Sequence, residues 1–433
     1  IGSSMSKSSQ VGTTDIIKSS LKKRYARETR FKWYGRLAVL TGFIFLFILL
    51  TDIVTKGLPA FTQNFIQVEL DLTADSLGVK DPADEDELFR ADYLGVIKQG
   101  LRDTFPEATG RKEKKMLYRL VSVSAEYDIR DQVVQDPSLL GQKKAFWLRA
   151  HSEANGYLKG QIDTSLDESN RRVKDRQIEW LDQLRAEGHI ESRFNSLFFT
   201  AGDSREPEMA GIRAALMGSF WTLLVTFALT FPIGVGAAIY LEEFAPRNRL
   251  TDLIEININN LAAVPSIVFG LLGLAVFINF IGMPRSAPVV GGIVLSLMTL
   301  PTIIITSRAS IQAVSPSIRE AALGVGASKL QTVFHHVLPI AMPGIMTGSI
   351  IGMAQALGES APLLMIGMVA FIMDVPGGIT DPSTVLPVQI FLWADSPERG
   401  FLEKTSAAIM VLMGFLIIMN ALAIYLRKRL EKK

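Results

Sequence analysis

Few side chains in this sequence have the type and spacing to do chemistry. There is no cysteine among its 433 residues, which excludes thiolate nucleophiles, Cys-type zinc sites and disulfides. His151 and His189 stand alone and read as structural or surface residues. The adjacent acids Asp84, Glu85, Asp86 and Glu87 read as a solvated face, because contiguous carboxylates lack the spacing of a divalent-cation loop. No G-x-x-x-x-G-K-[ST] sequence occurs, and Gly324-Val-Gly-Ala-Ser-Lys329 has its glycines and lysine at the wrong spacing. The chain therefore does not cradle nucleotide phosphates by that device. Two features remain. Glu359 interrupts an apolar stretch, where an ionisable residue is costly and by default functional. Residues 319–339 form a short polar segment between two apolar runs. In it, Gly324 or Gly326 can end a helix in dihedrals closed to other residues. Ala321 and Ala322 allow close approach to another surface. Leu330, Val333, Phe334 and Val337 form an apolar stripe at helical spacing, and Leu338 with Pro339 marks re-entry into the apolar run. This is the chemistry of docking rather than of bond breaking.

The elements that must hold these residues are membrane spans. Of 88 Asp, Glu, Lys and Arg residues, 49 fall in residues 56–206 and only 20 in the longer stretch 209–426. That imbalance fits a membrane protein carrying one polar insert. The net charge of +2 gives no footprint for nucleic acid. Apolar runs lie at 37–55, 211–241, 253–281, 287–305, 343–371 and 405–426. Pro232, Pro265, Pro301 and Pro362 sit inside them, which packed helices around a pathway tolerate better than a lone helix in lipid. The first run has a basic flank (Lys22, Lys23, Arg24, Arg27, Arg30, Lys32, Arg36) and no small-x-small site after it. It reads as an uncleaved anchor rather than a signal peptide. Residues 1–4 read as a cloning remnant before a Met5 start, and residues up to 36 as a basic cytoplasmic tail. Arg427, Lys428, Arg429, Lys432 and Lys433 make the other end basic too. Both termini are then expected in the cytoplasm, which requires an even number of spans. Six spans put the segment 317–339 inside and residues 56–209 outside.

The insert 56–209 is long enough to be a folded domain. Residues 163–187 read as a helix with many (i, i+4) charge pairs. Phe146, Trp147, Leu148, Trp180, Phe194, Phe198 and Phe199 are its candidate core. On the spans, Gly344, Gly348 and Gly352 form a small-xxx-small ladder for close helix packing. The expectation is an all-α polytopic chain. It would comprise a tail (1–36), a first span (37–55), a mainly helical extracytoplasmic domain (56–209), a permease core (210–427) and a short basic tail (428–433).

The segment 319–339 resembles the EAA loop of ABC-importer permeases: Glu-Ala-Ala, three residues, Gly, nine residues, an aliphatic residue, one residue, Leu-Pro. Glu320, Ala321, Ala322, Gly326, Leu338 and Pro339 match, with Lys329 beside them, and His336 stands at the aliphatic position. In that family this helix–turn–helix docks in a groove of a separate ATPase subunit. Three further stretches, Gly211-Ile-Arg-Ala-Ala-Leu-Met-Gly-Ser219, the run 260–277 around Pro265, and Ala356-Leu-Gly-Glu-Ser-Ala-Pro-Leu-Leu364, are similar to the permease subunits of the phosphate-specific ABC importer, the last to its A-type subunit. The resemblance covers roughly residues 210–427; the insert is an addition that marks a subgroup.

The resemblance implies the type I importer permease fold with six transmembrane helices. It implies a bacterial inner-membrane location, a second permease chain, two ATPase subunits that carry ATP and magnesium, and a periplasmic phosphate-binding protein. No cofactor is expected on this chain, which is then not itself an enzyme. Along the substrate pathway the expected residues are Glu359, Ser360, Gln355, Arg308 and Ser266. A carboxylate at 359 can accept a hydrogen bond from the P–OH of phosphate, which sulfate lacks, while Arg308 supplies attraction. Arginines are expected near 305 and 355, where this chain has Ile305 and Gln355; Arg308 lies one helical turn from 305. An importer of another oxyanion, such as sulfate or molybdate, is the alternative. A membrane sensor would need a cytoplasmic signalling module, and an ion-coupled transporter would need no EAA loop.

Overall fold

The computed structural model describes residues 13–81, 84–369 and 371–431. The expected start at Met5, the first part of the basic tail, Lys432, Lys433 and Ala370 of the expected fifth span lie outside the described residues. The chain forms two compact units, residues 1–55 and residues 56–433. The first is built on one continuous helix, Thr13–Gly57.

The insert is where the expectation of an all-α chain is corrected. Its centre is a three-stranded antiparallel sheet ordered β2-β1-β3, with β1 Thr62–Asp71, β2 Lys143–Arg149 and β3 Ile190–Phe194. Val68 pairs with Phe146 on one side and Phe65 with Glu191 on the other. Ile66, Val68 and Leu70 are buried, the period-2 alternation of a strand with one covered face. Two buried polar residues at its start hide that alternation in the sequence. The Gln63 side chain donates to the Ala150 carbonyl (3.0 Å), and the Asn64 side chain to the Asn155 side-chain Oδ1 (3.0 Å), so each is satisfied in place.

Helices Tyr93–Thr104, Ala125–Gln135 and Asp175–Ala186 contribute to the core that covers this sheet. A Cβ on Gly100 would lie 2.5 Å from the Glu69 carbonyl oxygen, so helix and strand touch backbone to backbone there. Trp180 is fully buried and donates its indole N–H to Glu107 (3.1 Å). The helix expected over 163–187 is corrected to Asp175–Ala186. Residues 163–174 are turns and one short 3-10 segment, Glu168–Asn170, because their charge pairs bring too little apolar surface to dock a helix. Of the expected core, Phe146, Leu148, Trp180 and Phe198 are buried, whereas Phe194 is exposed. Phe198 packs edge-on to Phe61 and Phe199, in a separate cluster with Trp393 and Phe401.

The remaining helices carry the apolar sequence. Arg213–Ile239, Pro288–Gln312, Leu338–Gly358 and Gly400–Glu431 belong to stretches long and apolar enough to cross a membrane, as does the N-terminal helix. A sixth apolar stretch is broken: Arg249–Ala262 and Ser266–Phe280 meet at 102°. Glycines set the helix contacts. A Cβ on Gly292 would lie 2.5 Å from Val225, and one on Gly348 2.1 Å from Thr306. The Gly344/Gly348 ladder thus packs within this chain, against the helix Pro288–Gln312. The insert is tied to the last helix by a buried pair, Lys159 Nζ to Glu403 Oε1 at 2.9 Å, with both side chains less than 10% exposed. Burial lowers the Lys159 pKa, opposed by the Glu403 charge.

Candidate functional site

The loop that joins two spans is built as a helix–turn–helix. The helix Pro316–Gly324 opens with Pro at its first position, where a missing N–H costs nothing. It closes through Val325 and Gly326 amides bonded back to Ala321 and Leu323. Gly326 has φ +92°, a left-handed conformation that a side chain would strain. Ser328 then caps the next helix: its hydroxyl accepts from Gln331 N–H (3.2 Å) and the Gln331 side chain accepts from Ser328 N–H (2.9 Å), the reciprocal pattern of a capping box. From Lys329 the chain runs helically, through a π-helical turn at Val333–Val337, into Leu338–Gly358.

The expected apolar stripe divides by role. Val333 and Val337 are buried in the core with Ile311, Val314 and Ala341, and they anchor the loop. Leu330 and Phe334 are about half exposed, Leu323 is 50% exposed and Val325 86%. Around the glycine turn this leaves an apolar knuckle with Glu320 and Ala321 exposed beside it and Ala322 buried beneath. Lys329 lies over the Phe244 ring at 5.4 Å, Leu338 is half-buried and Pro339 exposed.

Arg319 braces this loop and Arg308 ties the helix before it to its neighbours; the partners of both escaped the sequence reading. Arg319 donates Nε and Nη2 to Glu243 Oε1 (3.0 and 2.7 Å), Nη1 to the Val314 carbonyl (2.7 Å) and Nη2 to that of Ile311 (2.9 Å). Arg308 pairs with Glu255 at 2.7 Å and Glu242 at 3.5 Å. Gln312 also donates to Glu242 (2.8 Å). Adjacent glutamates at the end of one apolar run and arginines after another were the available signal: charges at span ends seek each other.

Glu359 and Ser360 form the break between Leu338–Gly358 and the short helix Ala361–Met365. Glu359 is extended (φ −80°, ψ 125°) and half-buried, as is Ser360, whereas Gln355 is exposed one turn earlier. Ser266 opens the second arm of the other broken helix, after Pro265. The two breaks are neighbours: a Cβ on Gly270 would lie 2.7 Å from Pro362 Cα and 2.8 Å from its carbonyl oxygen. Ser266 and Glu359–Ser360 thus belong to one region of interrupted helix. Arg308 is engaged elsewhere, with Glu255 and Glu242. Irregular backbone in apolar surroundings is tolerated where it is buried in protein or lines a cavity.

Comparison with known proteins fits this architecture. Residues 230–432 match the family described as binding-protein-dependent transport system inner membrane component. Residues 18–168 match a domain of unknown function (DUF3333). The probable ABC transporter permease protein YqgH of Bacillus subtilis is 31% identical over 222 residues, 48% of this chain and 70% of that protein. The chain belongs to the family of ABC transporter permeases, multi-pass proteins of the inner membrane. The probable ABC transporter permease protein YqgI of the same organism is 36% identical over 174 residues, 40% of this chain and 58% of its own length. The phosphate transport system permease protein PstA 1 of Mycobacterium tuberculosis is 32% identical over 206 residues, 47% of this chain and 66% of the relative. The chain thus spans less than two thirds of some of its relatives.

Proposed function

We propose that this chain is the permease subunit of an ATP-driven phosphate importer, forming half of a translocation pathway with a second permease. Two ATPase subunits would supply ATP and magnesium, and an extracytoplasmic phosphate-binding protein would deliver substrate. The chain itself would bind no nucleotide, having no G-x-x-x-x-G-K-[ST] sequence, and would hydrolyse nothing. The bent stretch counts as one span, giving six with both termini cytoplasmic, the insert 56–209 outside and the loop 317–339 inside. The observation that carries the reading is the exposed knuckle of Leu323, Val325, Leu330 and Phe334 around Gly326, braced by Arg319 on Glu243. An apolar turn held rigidly on a span end is built to transmit a partner's movement into the helices. The likeness to phosphate permeases supports the substrate.

Glu320→Arg tests the docking role. Glu320 is exposed, so the variant should keep its abundance in the membrane while phosphate uptake and ATPase capture both fall, by at least about tenfold for ~1.4 kcal/mol of lost docking. Normal uptake without ATPase capture would sink the reading in favour of secondary transport. Lost capture in the variant, beside a wild type whose uptake shows no dependence on phosphate, would keep the permease and discard the substrate. Glu359 is assigned the phosphate-over-sulfate choice, with Ser360, Gln355 and Ser266 along the same pathway; Arg308, paired with Glu255 and Glu242, is left to bracing. Glu359→Gln should reduce the preference for phosphate about tenfold or more, since a hydrogen bond to a charged group contributes ~1.5–3 kcal/mol. Competition of phosphate uptake by sulfate and molybdate measures it, and an unchanged preference removes Glu359 from the role.

A further inference from the structure

A second polar cluster lies far in sequence from the loop, where the insert meets the segment that leads into Arg213–Ile239. His151 precedes the helix Ser152–Leu158. Glu206 and Glu208 lie in the connecting segment after the insert, with the amides of Met209 and Ala210 bonded back to the Glu206 carbonyl (2.9 and 3.1 Å). One ligand atom from each of the three side chains lies within 4.8 Å of the other two. Among the described residues no hydrogen bond or ion pair joins the three to one another.

Glu208 makes this more than a chance grouping. It is only 2% exposed. Oε2 accepts from Ser152 N–H at 3.2 Å, but Oε1 is buried with no hydrogen-bond partner. A carboxylate oxygen in that state is expensive. Its cationic neighbours do not resolve it. Arg149 and Lys404 both act electrostatically on it, yet neither forms an ion pair with it among the described residues. Arg149 also faces Asp128, and Lys404 faces Glu403 and donates to the Ala210 carbonyl (3.3 Å). Glu206 is exposed and His151 partly so, which gives an ion a way in.

We propose that His151, Glu206 and Glu208 bind one zinc ion, which fastens the insert to the chain entering the membrane core. Imidazole and carboxylate are both zinc ligand types, and a water would complete the four-coordinate shell that a structural zinc takes. Ligands about 2.0–2.2 Å from a shared ion stand somewhat closer together than these do, and exposed Glu206 is free to close the gap. The imidazole nitrogen favours zinc over calcium or magnesium, which take oxygen ligands. The nearby Arg149 and Lys404 oppose any dication, so the bond to the imidazole nitrogen must carry the choice of ion. His151 Nδ1 accepts from Glu153 N–H at 3.3 Å, a long bond that costs little to give up. The site also touches the last helix: a Cβ on Gly400 would lie 2.7 Å from Pro207 and 3.1 Å from Ser152. An ion here would stiffen the junction of three parts of the chain.

The test uses the full chain, purified through a tag without histidines, held in nanodiscs and titrated with zinc after chelation. About one zinc per chain should bind. His151→Gln and Glu206→Gln, both at the accessible rim, should each weaken binding at least about tenfold. Zinc should raise the melting midpoint of the wild type and leave both variants where they were. A wild type that takes up no zinc overturns the proposal, and so does zinc binding that both variants retain in full. Calcium held in preference to zinc overturns the assignment of the ion.

Discussion

Arg319 joins three parts of the chain around the loop through one guanidinium: the Glu243 carboxylate and the carbonyls of Ile311 and Val314. Its side chain is 23% exposed and that of Glu243 only 9%, so the pair is shielded enough to matter. Arg319→Ala leaves Glu243 without its main partner and should loosen the loop by about 1–3 kcal/mol. Proteolytic cleavage within residues 316–328 should become faster, while the insert melts as before. Arg319→Lys should restore part of this only, because an ammonium cannot reproduce the fork. An unchanged cleavage rate in the alanine variant would show that Val333 and Val337 hold the loop alone. The motif residues themselves were legible in the sequence, since Gly326 and the flanking alanines are fixed by local backbone demands. The bracing glutamates were not, because nothing local to residues 242–255 says which arginine they meet.

At the scale of elements, the two broken helices cross at Gly270 and Pro362 with no room for a side chain. Each break has a local cause visible in sequence, a proline at 265 and one at 362. Their adjacency is a tertiary fact. Gly270→Val should force the two breaks apart, an overpacking cost of about 1–3 kcal/mol. Phosphate uptake should fall while ATPase capture persists, the opposite dissociation from Glu320→Arg. If capture is lost as well, the change has spread beyond the crossing. The sheet of the insert shows the same division from the other side. Ile66, Val68 and Leu70 alternate as a strand should, but Gln63 and Asn64 break the pattern, and their partners Ala150 and Asn155 lie nearly ninety or more positions away.

For the whole molecule, the absence of cysteine makes sidedness directly measurable. Val123 on the insert and Val325 on the loop turn are both well exposed, at 55% and 86%. Single substitutions Val123→Cys and Val325→Cys should react with a membrane-impermeant maleimide from opposite faces: the first in intact spheroplasts, the second only after lysis. Labelling of both in intact spheroplasts would overturn the orientation drawn from Lys/Arg near the span ends. The two classes of surface differ for a physical reason. Charge concentrated in residues 56–206 needs water, and the apolar runs need lipid or each other.

The sequence by itself determined where the apolar runs lie, that a large polar insert follows the first, and which short loop turns on glycine beside small residues. These follow from composition and local conformation, which neighbours in the chain dictate. Only the tertiary structure decided that the insert is built on a sheet. It also decided that Arg308 and Arg319 are held by glutamates from two other helical segments, and that Glu359 lies at a helix break beside a second one. Each of these depends on contacts between residues distant in the chain, where burial and charge pairing choose among partners that local sequence leaves equivalent.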